Sequence, residues 1–403
     1  MGTLSGKTSN ISINLPASKS ISNRALIIQA ICSNSIKLLN ISAAEDTQIM
    51  LHNLSDNSTK KDVGMAGTAA RFLTAFYALK KQKTHITAHP RMQERPMREL
   101  CLALENLGAK FQYLDKKYHL PFIVDGTNTT GGNLEIDATI SSQFTTALML
   151  IAPALKNGLT ITLKGKTTSE SYILMTKNIM EHFGVKVKYK ENKIEIKEQD
   201  YHPNSLVIEN DWSSASYFYS AFALMKNGRL TLKNLSPNSW QGDKIVAEIY
   251  YRLGVKTIVN GNDLVLEHSE HKIDYLNYDF SDCPDLAQTV ICTCTSLGIQ
   301  GNFKGLHTLK NKETDRIKAL QNELKKLRWL LIENKDHSYT LRRALPTETY
   351  NPKINTYNDH RMAMAFAPLK LLHPKLEIEN PEVVKKSFPN FWLEMEKIGI
   401  FAS

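Results

Sequence analysis

The stretch Leu107-Gly-Ala-Lys110 decides the architecture, because it returns. Phe183-Gly-Val-Lys186 and Leu253-Gly-Val-Lys256 repeat it at spacings of 76 and 70 residues, and Leu327-Arg-Trp-Leu330 is a degenerate copy. In the first three, an apolar helical pattern runs up to a glycine and a β-rich segment follows, as where a helix stops in a left-handed turn. A second phrase, a strand launched from a glycine turn, occurs at Gly158-Leu-Thr-Ile-Thr-Leu-Lys-Gly165 and again, 70 residues on, at Gly228-Arg-Leu-Thr-Leu-Lys-Asn234. Gly301-Asn-Phe-Lys-Gly305, His373-Pro-Lys-Leu-Glu-Ile378 and Ser35-Ile-Lys-Leu-Leu-Asn40 are weaker relatives. A period near 70 exceeds that of a solenoid repeat. It suits a supersecondary unit of helices plus strands, and 403 residues hold between five and six of them.

Outward from these phrases, apolar residues at helical spacing predict helices over 23–31, 68–79, 97–107, 142–155, 172–183, 214–225, 244–253, 284–297, 314–327 and 361–372. Short β-rich runs such as 186–189, 194–196 and 263–267 lie between them. This alternation is an α/β pattern, and its length points to two or three domains. No low-complexity linker separates them.

Composition narrows the function classes. With 42% hydrophobic and 22% charged residues the chain is neither disordered nor collagen-like. No run of 18 apolar residues exists, which excludes a membrane-spanning helix. The N-terminal MGTLSGKTSNISIN lacks an apolar signal core, and five scattered cysteines follow no disulfide framework, so a reducing cytoplasm is the expected location. The net charge of +10 favours anionic partners. Nucleic acid, acidic lipid and phosphorylated or carboxylated metabolites all fit that charge; the lysine-rich pieces around Lys186–Lys190 and Lys325-Lys326 read as solvated strand and helix faces, which speaks against nucleic acid.

The chemistry sits where helices begin. Ser18-Lys-Ser-Ile-Ser-Asn-Arg24, Gly67-Thr68, Ser141-Ser-Gln143, Asp211-Trp-Ser-Ser-Ala-Ser216, Pro284-Asp285, Lys312-Glu-Thr-Asp-Arg316 and Asp359-His-Arg361 each open a helical pattern. Serine, threonine and aspartate there are ordinary N-caps. Lysine and arginine are not, because the helix dipole repels cations at that end. Lys19, Arg24, Arg71, Lys312, Arg316 and Arg361 repeat this violation, which points to anions held jointly by cations and helix N-termini. Gly6-Lys7-Thr8 lacks the upstream glycine of a phosphate-binding loop, and Cys292-Thr-Cys294 lacks partner ligands for a metal.

Taken together the phrases resemble the EPSP synthase family. Leu15-Pro-Ala-Ser-Lys-Ser-Ile-Ser-Asn-Arg24, Ala66-Gly-Thr-Ala69, Pro90-Arg-Met-Gln-Glu-Arg-Pro96, Ser141-Ser-Gln-Phe144, Ser214-Ala-Ser-Tyr217, Asn238-Ser-Trp-Gln-Gly-Asp243, Lys312-Glu-Thr-Asp-Arg316, Tyr357-Asn-Asp-His-Arg-Met-Ala-Met364 and Lys386-Ser-Phe-Pro389 occur in family order across nearly the whole chain. The resemblance implies an α/β fold of two similar domains, each of three βαβαββ units: the inverse α/β barrel of the enolpyruvyl transferases. It implies one domain over 17–209 and a second joining 1–16 to 210–403, and a monomer.

The implied activity is 3-phosphoshikimate 1-carboxyvinyltransferase, acting in the shikimate pathway to chorismate and the aromatic amino acids. Phosphoenolpyruvate donates its enolpyruvyl group to the 5-hydroxyl of shikimate-3-phosphate by addition–elimination, without cofactor or metal. The resemblance places Lys19, Gly67, Arg91, Gln143, Arg316, Arg361 and Lys386 around phosphoenolpyruvate. It places Lys19, Ser20, Arg24, Ser141, Ser142, Gln143, Ser169, Tyr172, Asp285 and Lys312 around shikimate-3-phosphate. It makes Asp285 the base for the hydroxyl and Glu313, assisted by Lys19, the acid for the methylene. Departures from the family pattern are Met65 and Thr308 in place of asparagines, Ala17 in place of a glycine, and a short segment between Leu51 and Gly64. The alternatives are the sister enzyme UDP-N-acetylglucosamine enolpyruvyl transferase, whose reactive loop cysteine has no counterpart in the helical Cys101, and an inactive relative of the fold.

Overall fold

The computed structural model describes residues 10–32, 35–344 and 353–402; the Gly6-Lys7-Thr8 turn lies outside them. The chain divides into two compact units, one of residues 17–208 and one joining 1–16 to 209–403. The division falls between Ile208 and Glu209. The Ile208 N–H bonds the Leu39 carbonyl of the first unit, whereas Glu209 accepts a 2.6 Å bond from the Ser239 hydroxyl of the second.

The repeat read from the sequence is visible in the strands. Four four-stranded sheets share one connectivity: the first strand runs parallel to the second, and a hairpin then pairs antiparallel with the second. In the unit 17–208 these are Lys60–Asp62, Lys83–Thr87 and the hairpin Lys110–Tyr113/Phe122–Asp125, then Gly132–Asp137, Leu159–Lys164 and Val187–Lys190/Lys193–Ile196. In the other unit they are Asn10–Ile13, Arg229–Leu232 and Leu253–Asn260/Asp263–Lys272, then Tyr275–Asp279, Gln300–Lys304 and Trp329–Glu333/Tyr339–Arg343. Each unit adds a shortened repeat without the hairpin: Lys37–Leu39 beside Ser205–Val207, and Lys353–Ile354 beside Glu377–Ile378. The described residues thus hold six repeats, three per unit.

Glycine does two jobs in the deciding phrase. After the helices Arg98–Asn106 and Glu170–His182, Gly108 (φ 98°) and Gly184 (φ 82°) take the left-handed turn, and the Ala109 and Val185 N–H groups reach back to Leu104 and Met180. In the degenerate copy Arg328 occupies that conformation (φ 64°), so the turn survives loss of the glycine. Gly254 (φ 89°) does something else: it sits at a register shift inside the strand Leu253–Asn260, and the helix before it has already ended at Tyr251. The helix expected over 142–155 stops at Ile151, because Pro153 has no N–H to continue it and the chain tightens into the turn Ala152–Ala154.

Helices apolar all round form the interior of each unit. In the unit 17–208 these are Lys19–Ile31, Gly67–Leu79 and Ser142–Ile151; in the other, Trp212–Leu224, Ala287–Leu297 and His360–Phe366. Phe72, Leu73, Leu148, Phe218, Phe222, Ile291 and Phe366 are at most 1% exposed along them. Helices with one polar face, such as Arg98–Asn106 and Arg316–Lys326, cover them together with the sheets. Among the described residues no helix is long and apolar enough to cross a membrane.

Candidate active site

Every inner helix begins on one of the polar phrases, so the fold gathers those phrases at helix N-termini. The caps form as their chemistry dictates: Ser18 accepts from Ile21 N–H, Ser141 from Gln143, Asp211 from Ser214 and Asp359 from Arg361. The cations stand beside these caps rather than replacing them.

In the unit 17–208, Lys19 opens its helix and forms a 2.8 Å ion pair with buried Asp46. Arg24 is wholly buried. Its Nε donates to Thr176 Oγ1 (2.8 Å) and its Nη1 to the Ser20 carbonyl (2.8 Å), while its guanidinium faces the rings of Phe72 and Tyr172. Burial holds its pKa down to about 10. Gln143 donates to Thr68 Oγ1 (3.2 Å), joining the starts of two inner helices. Ser142 lies in the same first turn, and Ser169 (φ 57°) precedes the helix that carries Tyr172. A Cβ at Gly67 would stand 2.6 Å from an Arg95 guanidinium nitrogen and 2.9 Å from one of Arg71, so any side chain there would push these two guanidinium groups aside. Arg91, 40% exposed, pairs with Glu94.

In the unit 1–16 with 209–403, charges are denser. Arg316, 2% exposed, donates Nε and Nη2 to Asp359 (2.7 and 3.2 Å), Nη2 to Glu313 (2.7 Å) and Nη1 to Asp285 (3.5 Å). Burial pulls its pKa down, but Asp359 and Glu313 more than offset that and raise it. Arg361 bonds the Asp285 carboxylate (3.0 Å), the Asp285 carbonyl (3.2 Å) and the Tyr217 hydroxyl (3.3 Å). Lys386, 7% exposed, closes the turn Pro381–Lys386 that packs on the helix His360–Phe366; its Nζ has no hydrogen-bond partner among the described residues. A buried ammonium without a partner is costly, and an anion would relieve it. Lys312 lies at the end of the turn His307–Asn311, one residue before Glu313.

The loop carrying Arg361 is fixed from below. Tyr357 and Asn358 both hold left-handed conformations (φ 54°), a strained pair that needs external support. Glu323 supplies it: this fully buried carboxylate accepts from Tyr357 O–H (2.7 Å) and Asn355 N–H (2.9 Å). Glu323 and Arg316 sit two turns apart on one helix face, so the helix grips the loop twice, at Tyr357 and at Asp359.

Sequence reasoning did not assign roles to Asp46, Asp243, Glu323 or Tyr217. Asp243 is buried, accepts from the Ser213 hydroxyl, and is pushed up to about 7 by burial first and then by Asp285. Cys101 is fully buried, with its thiol pushed up to about 12 by burial, which leaves it unreactive. Thr308 keeps a buried hydroxyl without a hydrogen bond among the described residues.

Fold and site together define an α/β protein of paired helix-cored units whose helix starts collect arginine, lysine and carboxylate groups suited to small polyanions. Its relatives are consistent with that class. The profile of the family EPSP synthase (3-phosphoshikimate 1-carboxyvinyltransferase) matches residues 52–395. A 3-phosphoshikimate 1-carboxyvinyltransferase of Bacteroides fragilis (strain YCH46) is 41% identical over 388 residues, covering 96% of this chain and 95% of that one. One from Haemophilus influenzae (strain PittEE) is 34% identical over 420 aligned residues, covering 96% of each. A solved EPSP synthase from Acinetobacter baumannii shares the fold, with a TM-score of 0.73 at 19% identity over 98% of this chain and 97% of that one. The chain belongs to the EPSP synthase family.

Proposed function

We propose that the chain is a 3-phosphoshikimate 1-carboxyvinyltransferase, moving the enolpyruvyl group of phosphoenolpyruvate to the 5-hydroxyl of shikimate-3-phosphate with release of phosphate. Each substrate carries a phosphate and a carboxylate. The observation that best supports the reading is the cluster of Arg316 and Arg361 with the two carboxylates Asp285 and Glu313, in the same unit as buried Lys386. Arginine forks match carboxylate and phosphate geometry, and lysine adds a point charge.

In this reading Arg316, Arg361 and Lys386, with Lys19, Gly67, Arg91 and Gln143, hold the donor. Lys19, Ser20, Arg24, Ser141, Ser142, Gln143, Ser169, Tyr172 and Lys312 hold the acceptor. Asp285 accepts the proton of the 5-hydroxyl as its oxygen bonds to the central enol carbon. Glu313 delivers a proton to the methylene, which becomes a methyl group, and no free carbanion forms. The tetrahedral adduct then collapses: Glu313 takes back a methyl proton as the double bond re-forms, and phosphate leaves with the proton that Asp285 had accepted. The cations neutralise the charge that leaves with phosphate. The chain acts on these free metabolites as a cytoplasmic monomer and needs no nucleic acid.

Phosphate release from phosphoenolpyruvate tests the reaction, with shikimate-3-phosphate or UDP-N-acetylglucosamine as the offered acceptor. Release with the first and not the second is expected. Arg361→Ala should weaken phosphoenolpyruvate binding by roughly 1.5–3 kcal/mol, the range for hydrogen bonds to charged groups. Calorimetry should find binding of shikimate-3-phosphate alone much less affected; equal losses would refute the donor assignment.

A further inference from the structure

Two side-chain bonds tie the loop 355–359 to the helix Arg316–Lys326, and they differ in what they hold. At Asp359 the partner is Arg316, a residue assigned to the donor. At Tyr357 the partner is Glu323, two helical turns on, which has no place in that assignment. Glu323 has no exposed side-chain surface, and both its carboxylate oxygens are engaged. One accepts from the Tyr357 hydroxyl (2.7 Å), the other from the Asn355 N–H (2.9 Å) and the Lys326 ammonium (2.6 Å). Lys326 also bonds the Lys353 carbonyl (2.9 Å), and Asn322 donates to the Tyr357 oxygen (3.4 Å). Burial, and then the bond to Glu323, push the Tyr357 phenol up, which keeps it the donor of the pair. The end of this helix therefore meets the chain at Lys353, Asn355 and Tyr357.

Beyond Tyr357 the chain leads to Arg361. Asn358 continues the left-handed backbone, the Asp359 N–H bonds the Thr356 carbonyl (2.9 Å), and the Asp359 carboxylate accepts from the Arg361 N–H (2.9 Å). Tyr217 and Asp285 steer the far end of the Arg361 side chain, whereas this cap sets where the side chain begins. Two consecutive left-handed residues that are not glycine relax towards ordinary backbone when their support is removed. Relaxation there moves Asp359 and, with it, the origin of Arg361. A misplacement on the order of 1 Å is enough to weaken a positioned contact severely.

We propose that Glu323 and Tyr357 are positioning residues for donor binding: their hydrogen bond holds the turn 356–359 in the shape that sets Arg361 for the phosphoenolpyruvate anion. The inference rests on the donor assignment above and goes beyond it, since neither residue belongs to the assigned set.

Tyr357→Phe is the mildest way to cut the link. The ring packs on the core of its unit and stays, and only the hydroxyl is lost, so the fold is kept. Calorimetry of phosphoenolpyruvate on the full chain, Tyr357→Phe, Arg361→Ala and the double variant closes a double-mutant cycle. Tyr357→Phe should weaken phosphoenolpyruvate roughly three- to tenfold, the net strength of one hydrogen bond passed on to binding, with shikimate-3-phosphate affinity unchanged. The double variant should lose less than the product of the two single losses, because a residue that acts through Arg361 has little to position once that side chain is gone. Glu323→Ala should weaken phosphoenolpyruvate at least as much as Tyr357→Phe. Single losses that multiply in the double variant overturn the inference, and so does a Tyr357→Phe loss shared equally by shikimate-3-phosphate. Unchanged phosphoenolpyruvate affinity in Tyr357→Phe, with or without a lower melting temperature, also overturns it and leaves the bond a structural one. Unchanged phosphoenolpyruvate binding in Arg361→Ala removes the donor site, and the inference with it.

Discussion

Arg24 and Arg316 are both buried arginines near inner-helix starts or their covering helices, and they solve burial in opposite ways. Arg316 is wrapped by Asp285, Glu313 and Asp359, and its pKa is raised. Arg24 bonds a hydroxyl and a carbonyl, lies against two aromatic rings, and has no carboxylate pair among the described residues; its pKa falls to about 10. The first is neutralised at rest, the second stores uncompensated charge. An anion arriving at Arg24 recovers desolvation already spent in folding, whereas one arriving at Arg316 has to replace an existing partner.

The largest test of this contrast is Arg316→Met. It leaves Asp359, fully buried, and Glu313 without their cation while Asp285 keeps Arg361, and should cost about 3–5 kcal/mol of stability, the range for breaking a buried ion pair. Urea unfolding followed by circular dichroism measures it, and a loss below about 1 kcal/mol would mean that the cluster does not hold this unit together. Next in size is Asp243→Asn. Asp243 shows that the arginine-rich unit is not fully compensated: its carboxyl, facing Asp285, Arg361, Asp211 and the Ser213 hydroxyl, is pushed up to about 7, chiefly by burial. An unfolded aspartate ionises near pH 4. The folded chain therefore takes up a proton between about pH 4 and 7, and the contribution of this group to stability declines as pH rises through that window and is flat above it. Asp243→Asn should remove that decline and gain roughly 1–3 kcal/mol at pH 8 with little change below pH 4. Thermal melts at a series of pH values would show an unaltered slope if the carboxyl is already ionised at low pH. The smallest effect on stability belongs to Arg24→Met, because no carboxylate is stranded. The variant should stay within about 1 kcal/mol of the wild type, yet lose shikimate-3-phosphate binding in calorimetry. A loss comparable to that of Arg316→Met would erase the contrast.

Most of the repeat was legible because helix ends and glycine turns are local. The phrase at Leu107 and Phe183 carries its own hydrogen bonds in the turn. Gly254 read like the others and proved to be a bulge, since the partner strand that creates the register shift is set by tertiary pairing. The helix Glu45–Ser55 went unread: its sequence EDTQIMLHNLS lacks a clean apolar stripe, and only Asp46, Thr47, Met50 and Asn53 are buried. With it went Asp46, whose place in the first turn is where acidic residues ordinarily favour the dipole, so nothing local marked it as the partner of Lys19. Asp359 was legible as a cap, and is one, but its grip on Arg316 spans 43 residues that no local pattern connects. The cations were conspicuous because they break a rule at helix starts. The carboxylates that answer them obey every local rule.

Among the described residues the edge strand Asn10–Ile13 pairs only with Arg229–Leu232, more than 200 residues downstream. On a ribosome, at about 5–20 residues per second, that segment emerges ahead of its partner and then waits roughly 10–40 seconds for it to be made. Meanwhile the contiguous stretch 17–208, a compact unit of one unbroken segment, is complete. Synthesis order and spatial order are thus inverted for one of the two units. Its earlier-made strand is placed late, and a nascent chain has to keep that strand unpaired while residues 17–208 are made behind it.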